Sequence, residues 1–199
     1  MLRRILIWAA LIVALLVPVI AAAFSPYLAW REPIYILAGF AGIVGMCLLL
    51  MQPLLAGSWL PGLSPVRSRL WHRRCGLALV AAIVIHVGGL WITSPPDVVD
   101  ALLFVSATPF SVWGVIAMWT GIAAATMGVL RLRLNLRFRL WRLGHTGLAL
   151  VTILGSVVHA LLIEGTMEIM TKIALCVLVV LACVATLARL RVWDVTRRV

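Results

Sequence analysis

Six long apolar runs dominate this chain and leave few folds open to it. They cover about residues 5–24, 33–51, 74–92, 110–130, 145–163 and 169–190. About 20 apolar residues are enough for a helix to cross a bilayer. With 64% hydrophobic and 12% charged residues, the chain is far more apolar than a soluble domain. The sequence therefore predicts an all-α integral membrane protein, a six-helix bundle with six spans.

The basic residues indicate how these spans are oriented. Fifteen of the seventeen lie before the first run, after the second, after the fourth or after the sixth, and five of the six acidic residues lie in the other connections. Short loops rich in arginine stay in the cytoplasm. We therefore expect both termini in the cytoplasm and the protein in a bacterial inner membrane. The net charge of +11 then faces membrane lipid, not nucleic acid.

The first apolar run and the four cysteines each allow an ordinary interpretation. The first run follows "MLRR" and ends in "VIAAAFS", so a cleaved secretory signal is an alternative to a retained span. The four cysteines form no CxxC pair and lie in or beside apolar runs, so we expect small buried side chains and no disulfide.

All four histidines fall in two segments of the same length and plan. "HRRCGLALVAAIVIH" runs from His72 to His86, and "HTGLALVTILGSVVH" runs from His145 to His159. Fourteen residues are close to four helical turns, so both histidines of a segment share one helix face, about 21 Å apart along the axis. The third and fifth spans run in the same direction. If their faces meet, His72 is level with His145, and His86 with His159.

Paired imidazoles from facing helices suit the two axial positions of a haem iron. Small residues four positions from each histidine would leave space for a porphyrin; they are Gly76, Ala82, Ala149 and Gly155. Arginines at the cytoplasmic ends could pair with the propionates of the inner haem; they are Arg69, Arg73 and Arg142. The sequence thus predicts haem between the third and fifth spans, with iron ligands His72, His86, His145 and His159.

Other functions remain open from the residues alone. Histidines at helix ends can be ordinary polar residues, although a polar group deep in a bilayer is usually functional. A transporter or a membrane scaffold with structural or proton-carrying histidines is the alternative. A transition-metal or proton pathway would favour nearby carboxylates, and no Asp or Glu lies inside a predicted span.

The two histidine segments also resemble a known family. "RLWHRRCGLALVAAIVIHV" and "RLWRLGHTGLALVTILGSVVHAL" are similar to the third and fifth spans of the ferric reductase-like transmembrane domain. Ferric reductases, NADPH oxidases and the haem subunit of the bacterial methionine sulfoxide reductase system share that domain. The similarity covers about residues 33–190, which leaves 1–32 as a first span with its outer loop and 191–199 as a basic cytoplasmic tail.

The resemblance implies an electron-transfer subunit with two b-type haems, or one as in some branches. Such proteins pass electrons from a cytoplasmic NAD(P)H–flavin module to an acceptor outside. The 199 residues contain no pattern for a flavin or nicotinamide domain. We therefore expect the donor to be a separate flavin reductase, which would bring FMN or FAD, or a quinol. The expected acceptors are a ferric chelate, oxygen or a periplasmic reductase.

Overall fold

The computed structural model describes residues 1–131, 133 and 135–191 of the chain. The predicted basic tail lies outside these residues except for Arg191. The described part contains seven α-helices: α1 (Leu2–Ala23), α2 (Pro33–Ala56), α3 (Pro65–Thr93), α4 (Pro95–Leu102), α5 (Ser111–Val129), α6 (Phe138–Leu162) and α7 (Ile169–Leu190). All except α4 are long and apolar enough to cross a membrane, which confirms the all-helical architecture and the six spans.

Several helix starts follow from local sequence. Proline is the first residue of α2 and α3, where its missing N–H is not needed. The Ser64 hydroxyl accepts a hydrogen bond from the Arg67 amide at the start of α3, and the Glu168 carboxylate accepts two at the start of α7. Helix α3 begins well before its apolar run, so His72 lies inside the helix and not at its end.

The way the helices pack leaves a gap between α3 and α6. Helix α3 packs mainly on α2, and α6 packs mainly on α5, while α7 joins α2 to α6. Helices α3 and α6, which carry the histidines, have hardly any close backbone contact with each other. Neighbouring side chains must therefore bridge that gap or line it.

The short helix α4 lies between α3 and α5, in the longest connection on the side opposite the arginines. Its Val98 is buried, while Leu103, Phe104 and Val105 just after it are exposed. The structure shows that its apolar face packs inward over the end of the bundle.

Candidate functional site

The structure brings the four histidines together in two pairs. His72 and His145 form the inner pair, nearer the arginine-rich end, with ring centres 6.2 Å apart. His86 and His159 form the outer pair, with ring centres 6.4 Å apart. The ring planes are inclined by 71° and 82°, so neither pair is stacked face to face.

Each histidine is oriented by a backbone carbonyl of a neighbouring helix or its cap. The Nδ1 atom of His86 lies 2.7 Å from the Ala38 carbonyl oxygen, and that of His159 lies 2.9 Å from the Phe110 carbonyl oxygen. The equivalent distances are 3.2 Å from His72 to Gln52 and 3.1 Å from His145 to Ala124.

These contacts assign the tautomer of all four rings. A carbonyl oxygen can only accept, so each Nδ1 carries the hydrogen, and in the neutral ring Nε2 then keeps a lone pair. Among the described residues, no protein group forms a hydrogen bond with any of the four Nε2 atoms. A metal-bound histidine typically donates its other ring N–H to a carbonyl or carboxylate, which fixes the ring and raises its basicity.

Glycines lie next to three of the four carbonyls and leave room for an imidazole to approach them. A helical side chain leans toward the N-terminus and covers the carbonyl four residues before it. Gly42 follows Ala38 by four residues, and a Cβ there would lie 3.0 Å from Nδ1 of His86. Gly114 follows Phe110 by four, and a Cβ there would lie 2.7 Å from Nδ1 of His159. Gly128 follows Ala124 in the same way, with a Cβ position 3.9 Å from His145. The fourth carbonyl, from Gln52, is followed by Ala56.

A cavity of about 470 Å³ surrounds the outer pair. Its walls come from α2, α3, α5 and α6, and α4 and the start of α7 close one end. Near the middle of the bundle the lining is apolar and includes Leu49, Leu79, Ile83 and Met118. Toward the end opposite the arginines it becomes polar, with the side chains of Tyr35, Ser106, Thr108, Ser111, Thr166 and Lys172. The volume lies within the range of cofactor pockets, about 300–1,000 Å³.

The small residues expected to make room have different surroundings. Ala82 lines the cavity, as expected. Gly155 is not part of that wall: a Cβ there would lie 3.0 Å from the Trp113 carbonyl oxygen and 3.1 Å from Ala117, so this glycine lets α6 pack closely on α5. A Cβ at Gly76 would lie 3.8 Å from the side chain of Gln52, an ordinary contact distance.

The three predicted arginines lie at the inner end, in different settings. Arg69 and Arg73 are exposed on the first turns of α3. Arg142 donates a hydrogen bond to the Leu190 carbonyl at the end of α7, so its guanidinium already has a partner there.

Trp141, which was not among the predicted site residues, contacts the inner pair. Its ring stacks on His145 at 5.4 Å with the planes 9° apart, and its indole N–H donates to the Met127 carbonyl at 3.0 Å. The Arg131 guanidinium lies over the same indole, 4.5 Å from its centre. The spacing of four residues between Trp141 and His145 was the available signal, since such residues are neighbours on a helix.

The separation of the two rings in each histidine pair limits the kind of metal centre that the pair could form. A metal–imidazole bond is about 2 Å long and the ring centre lies about 1 Å further, so two imidazoles on opposite sides of one metal have centres about 6 Å apart. Both observed separations match this value. In the described part of the chain, no group of three or more His, Cys, Asp or Glu side chains could hold a metal ion. Each pair therefore suits an ion whose remaining ligands come from a macrocycle.

Comparison with known proteins identifies the family. Residues 38–156, more than half of the chain, match the ferric reductase like transmembrane component. The matched segment includes three of the histidines and ends three residues before His159. No match was found among curated proteins or solved structures. The chain belongs to the ferric reductase-like transmembrane component family.

Proposed function

We propose that the protein is a membrane cytochrome b that carries single electrons outward across a bacterial inner membrane. The observation that carries this proposal is the presence of two facing imidazole pairs, each ring held by an Nδ1–H···O=C bond, with no hydrogen bond to Nε2 from the described residues. Family membership, which implies membrane electron transfer, supports it independently. Haem b bound at each pair would supply a one-electron couple at two depths of the membrane.

The residues present fit such a cofactor. His86 and His159 would ligate the outer iron, and the gap between α3 and α6 with the cavity around it would accept the flat ring. His72 and His145 would ligate the inner iron, with Trp141 holding the plane of the His145 ring. The exposed Arg69 and Arg73 are the better candidates for the inner propionates, because Arg142 is engaged at the end of α7.

The arginine asymmetry supports the direction of transfer. With the arginine-rich end in the cytoplasm, the inner pair faces a cytoplasmic donor, for which a flavin reductase carrying FMN or FAD, or a quinol, is suitable. The outer pair then faces a ferric chelate, oxygen or a periplasmic reductase as acceptor.

The alternative role, a transporter or scaffold with proton-carrying histidines, is less well supported by the geometry. A proton relay needs both ring nitrogens to exchange protons with neighbours. Here each Nδ1–H is bound to a backbone carbonyl, which is not a proton acceptor at ordinary pH. Asp97 is the only carboxylate that lines the outer cavity within the described part of the chain.

Haem content of purified variants tests the proposal. We expect His86→Ala or His159→Ala to remove about one haem per protein, because each variant loses one of the two imidazoles that would hold the outer iron. His72→Ala or His145→Ala should lower inner occupancy and leave the outer haem bound. Ser156→Ala, which changes the same cavity without touching a ligand, is the control and should keep wild-type content. A folded wild-type protein without a Soret band, or four histidine variants with unchanged haem content, would contradict the proposal.

A further inference from the structure

The sole lysine of the chain is buried at the polar end of the outer cavity. Lys172 lies in the first turn of α7, is 5% exposed and lines the cavity. A lysine near a helix end usually extends its stem so that the ammonium reaches water. The Lys172 ammonium instead donates to the Ile163 carbonyl at 2.8 Å inside the protein. Burial of this charge therefore needs an explanation.

The neighbouring residues leave most of this charge uncompensated. An ammonium has three N–H donors, and the Ile163 carbonyl is its one hydrogen-bond acceptor among the described residues. Glu168, one turn earlier, attracts Lys172, but its carboxylate is fully exposed and accepts hydrogen bonds from the Met170 and Thr171 amides, so water screens its charge. A buried cation whose nearby anion is screened by water still carries a cost of burial.

The charges around the cavity favour an anion beside Lys172. The other charged residue in the lining is Asp97, which is exposed and accepts a hydrogen bond from the Ser94 hydroxyl. Water and salt screen an exposed charge much more than a buried one. The field inside the cavity is therefore dominated by the lysine, although the two formal charges are equal and opposite.

The shape of the lining indicates what kind of anion would fit. The cavity is apolar around the imidazole pair and lined by hydroxyl groups at the Lys172 end, notably Thr166 and Ser111. Such a gradient suits a flat apolar molecule with carboxylates on one edge. Carboxylates form short, charge-assisted hydrogen bonds with ammonium groups and accept further bonds from hydroxyls.

We propose that Lys172 is the carboxylate-binding residue of the outer cavity. The carboxylate is a propionate of the haem held between His86 and His159, or it belongs to an anionic acceptor that approaches that haem. The inference rests on the proposed haem function, and it goes beyond that function by assigning an anion site to the end opposite the arginines.

Redox titration of Lys172→Met tests this assignment. Loss of a buried positive charge beside the haem stabilises the oxidised form, so the midpoint potential of one haem should fall. We expect its ratio of reduced to oxidised form at fixed potential to drop about tenfold, which is about 59 mV for one electron. Lys172→Arg should restore most of the potential. Arg31→Met removes the same charge from an exposed position on the same side and should change neither haem.

Two further measurements identify the source of the carboxylate. If a propionate is the partner, Lys172→Met should weaken the binding of haem b severalfold but leave the binding of haem dimethyl ester, whose propionates are blocked, unchanged. If the partner is the acceptor, the variant should bind both haems as wild type does but need a severalfold higher concentration of ferric citrate for half-maximal oxidation of the reduced haem. Lys172→Gln replaces Lys172→Met if the latter does not fold.

The outcomes separate this inference from the proposed function. Wild-type protein that binds no haem overturns the cytochrome proposal. Wild-type protein that binds haem, combined with Lys172 variants of unchanged potential and unchanged ferric citrate dependence, overturns only the carboxylate site.

Discussion

At the scale of single residues, the site depends on groups that the histidines touch as much as on the histidines themselves. A helical carbonyl is already used by its own helix: the Gly114 amide donates to the Phe110 carbonyl at 3.2 Å while His159 approaches the same oxygen. At the outer pair such sharing is possible because the residue four positions on, Gly42 or Gly114, has no side chain. The orientation of each outer imidazole therefore depends on a glycine of a neighbouring helix.

A graded series of glycine substitutions tests this dependence. Gly114→Ala places a Cβ 2.7 Å from Nδ1 of His159, so the ring must move and its carbonyl bond weakens. We expect the affinity for the outer haem to fall about 10- to 100-fold, as for loss of other groups that orient metal ligands. Gly42→Ala, at 3.0 Å from His86, should have a smaller effect.

Gly128→Ala is the matched control for that series. Its Cβ would lie 3.9 Å from His145, an ordinary contact distance, so haem affinity should remain at the wild-type level. Titration of the three apoproteins with haem measures their affinities and so tests the predicted ranking. Equal affinities in all three variants would mean that the glycines do not govern ring orientation.

At the scale of helices, α2 and α5 supply the supporting carbonyls while α3 and α6 carry the histidines. The inner end of this framework is fixed by buried polar contacts between distant segments. The Thr186 hydroxyl of α7 donates to the Pro53 carbonyl of α2 at 2.9 Å and accepts from the Trp59 indole at 2.9 Å. The Ser68 hydroxyl, fully buried, donates to the Leu55 carbonyl at 2.7 Å. These bonds hold α2, α3 and α7 in register close to the inner pair.

The outer end of α7 depends on a charged cap, which gives a pH dependence. Backbone N–H bonds from Met170 and then Thr171 hold the pKa of Glu168 below its ordinary value. A depressed folded-state pKa means that the ionised cap stabilises the fold at neutral pH, and that this contribution disappears as the pH falls through the folded-state pKa.

We expect Glu168→Ala to lower the thermal unfolding temperature at pH 7. The difference from wild type should stay constant down to about pH 4.3, the ordinary carboxyl pKa, and shrink toward zero below it. Glu164→Ala removes the same charge from the same connection without removing a cap and is the control. An equal loss for both variants, or a loss for Glu168→Ala that does not depend on pH, would argue against the cap.

The sequence was sufficient for the helices but not for their mutual orientation. Length and hydropathy predict six spans because a bilayer imposes one length on each, and the spacing of fourteen places His72 and His86 on one face whatever surrounds them. The approach of Gly155 to α5 and the burial of Lys172 depend on which faces of other helices meet. That information is carried by contacts between residues far apart in the chain, which spacing within one helix does not contain.

At the scale of the whole molecule, the arginine-rich and opposite ends differ in charge and in the pair they face. The orientation in the membrane can be tested directly. We expect a fusion after Gly62, between α2 and α3, to report the cytoplasm, and a fusion after Asp97 to report the outside, because short arginine-rich loops are retained inside. Paired green fluorescent protein and alkaline phosphatase reporters give the readout. The opposite pattern would place the outer pair and Lys172 beside the cytoplasmic donor.

The supporting carbonyls and the histidines recur along the chain at a nearly constant interval, which bears on how the bundle arose. Phe110 and Ala124 follow Ala38 and Gln52 by 72 residues each, and His145 and His159 follow His72 and His86 by 73 each. Helices α2 and α3 therefore form a hairpin that α5 and α6 repeat in the same direction, with one residue more between the supporting carbonyl and its histidine. This is the arrangement that gene duplication of a single hairpin would leave. Each copy supplies one histidine at each depth, so an ancestral hairpin would have needed a second copy of itself to complete either pair.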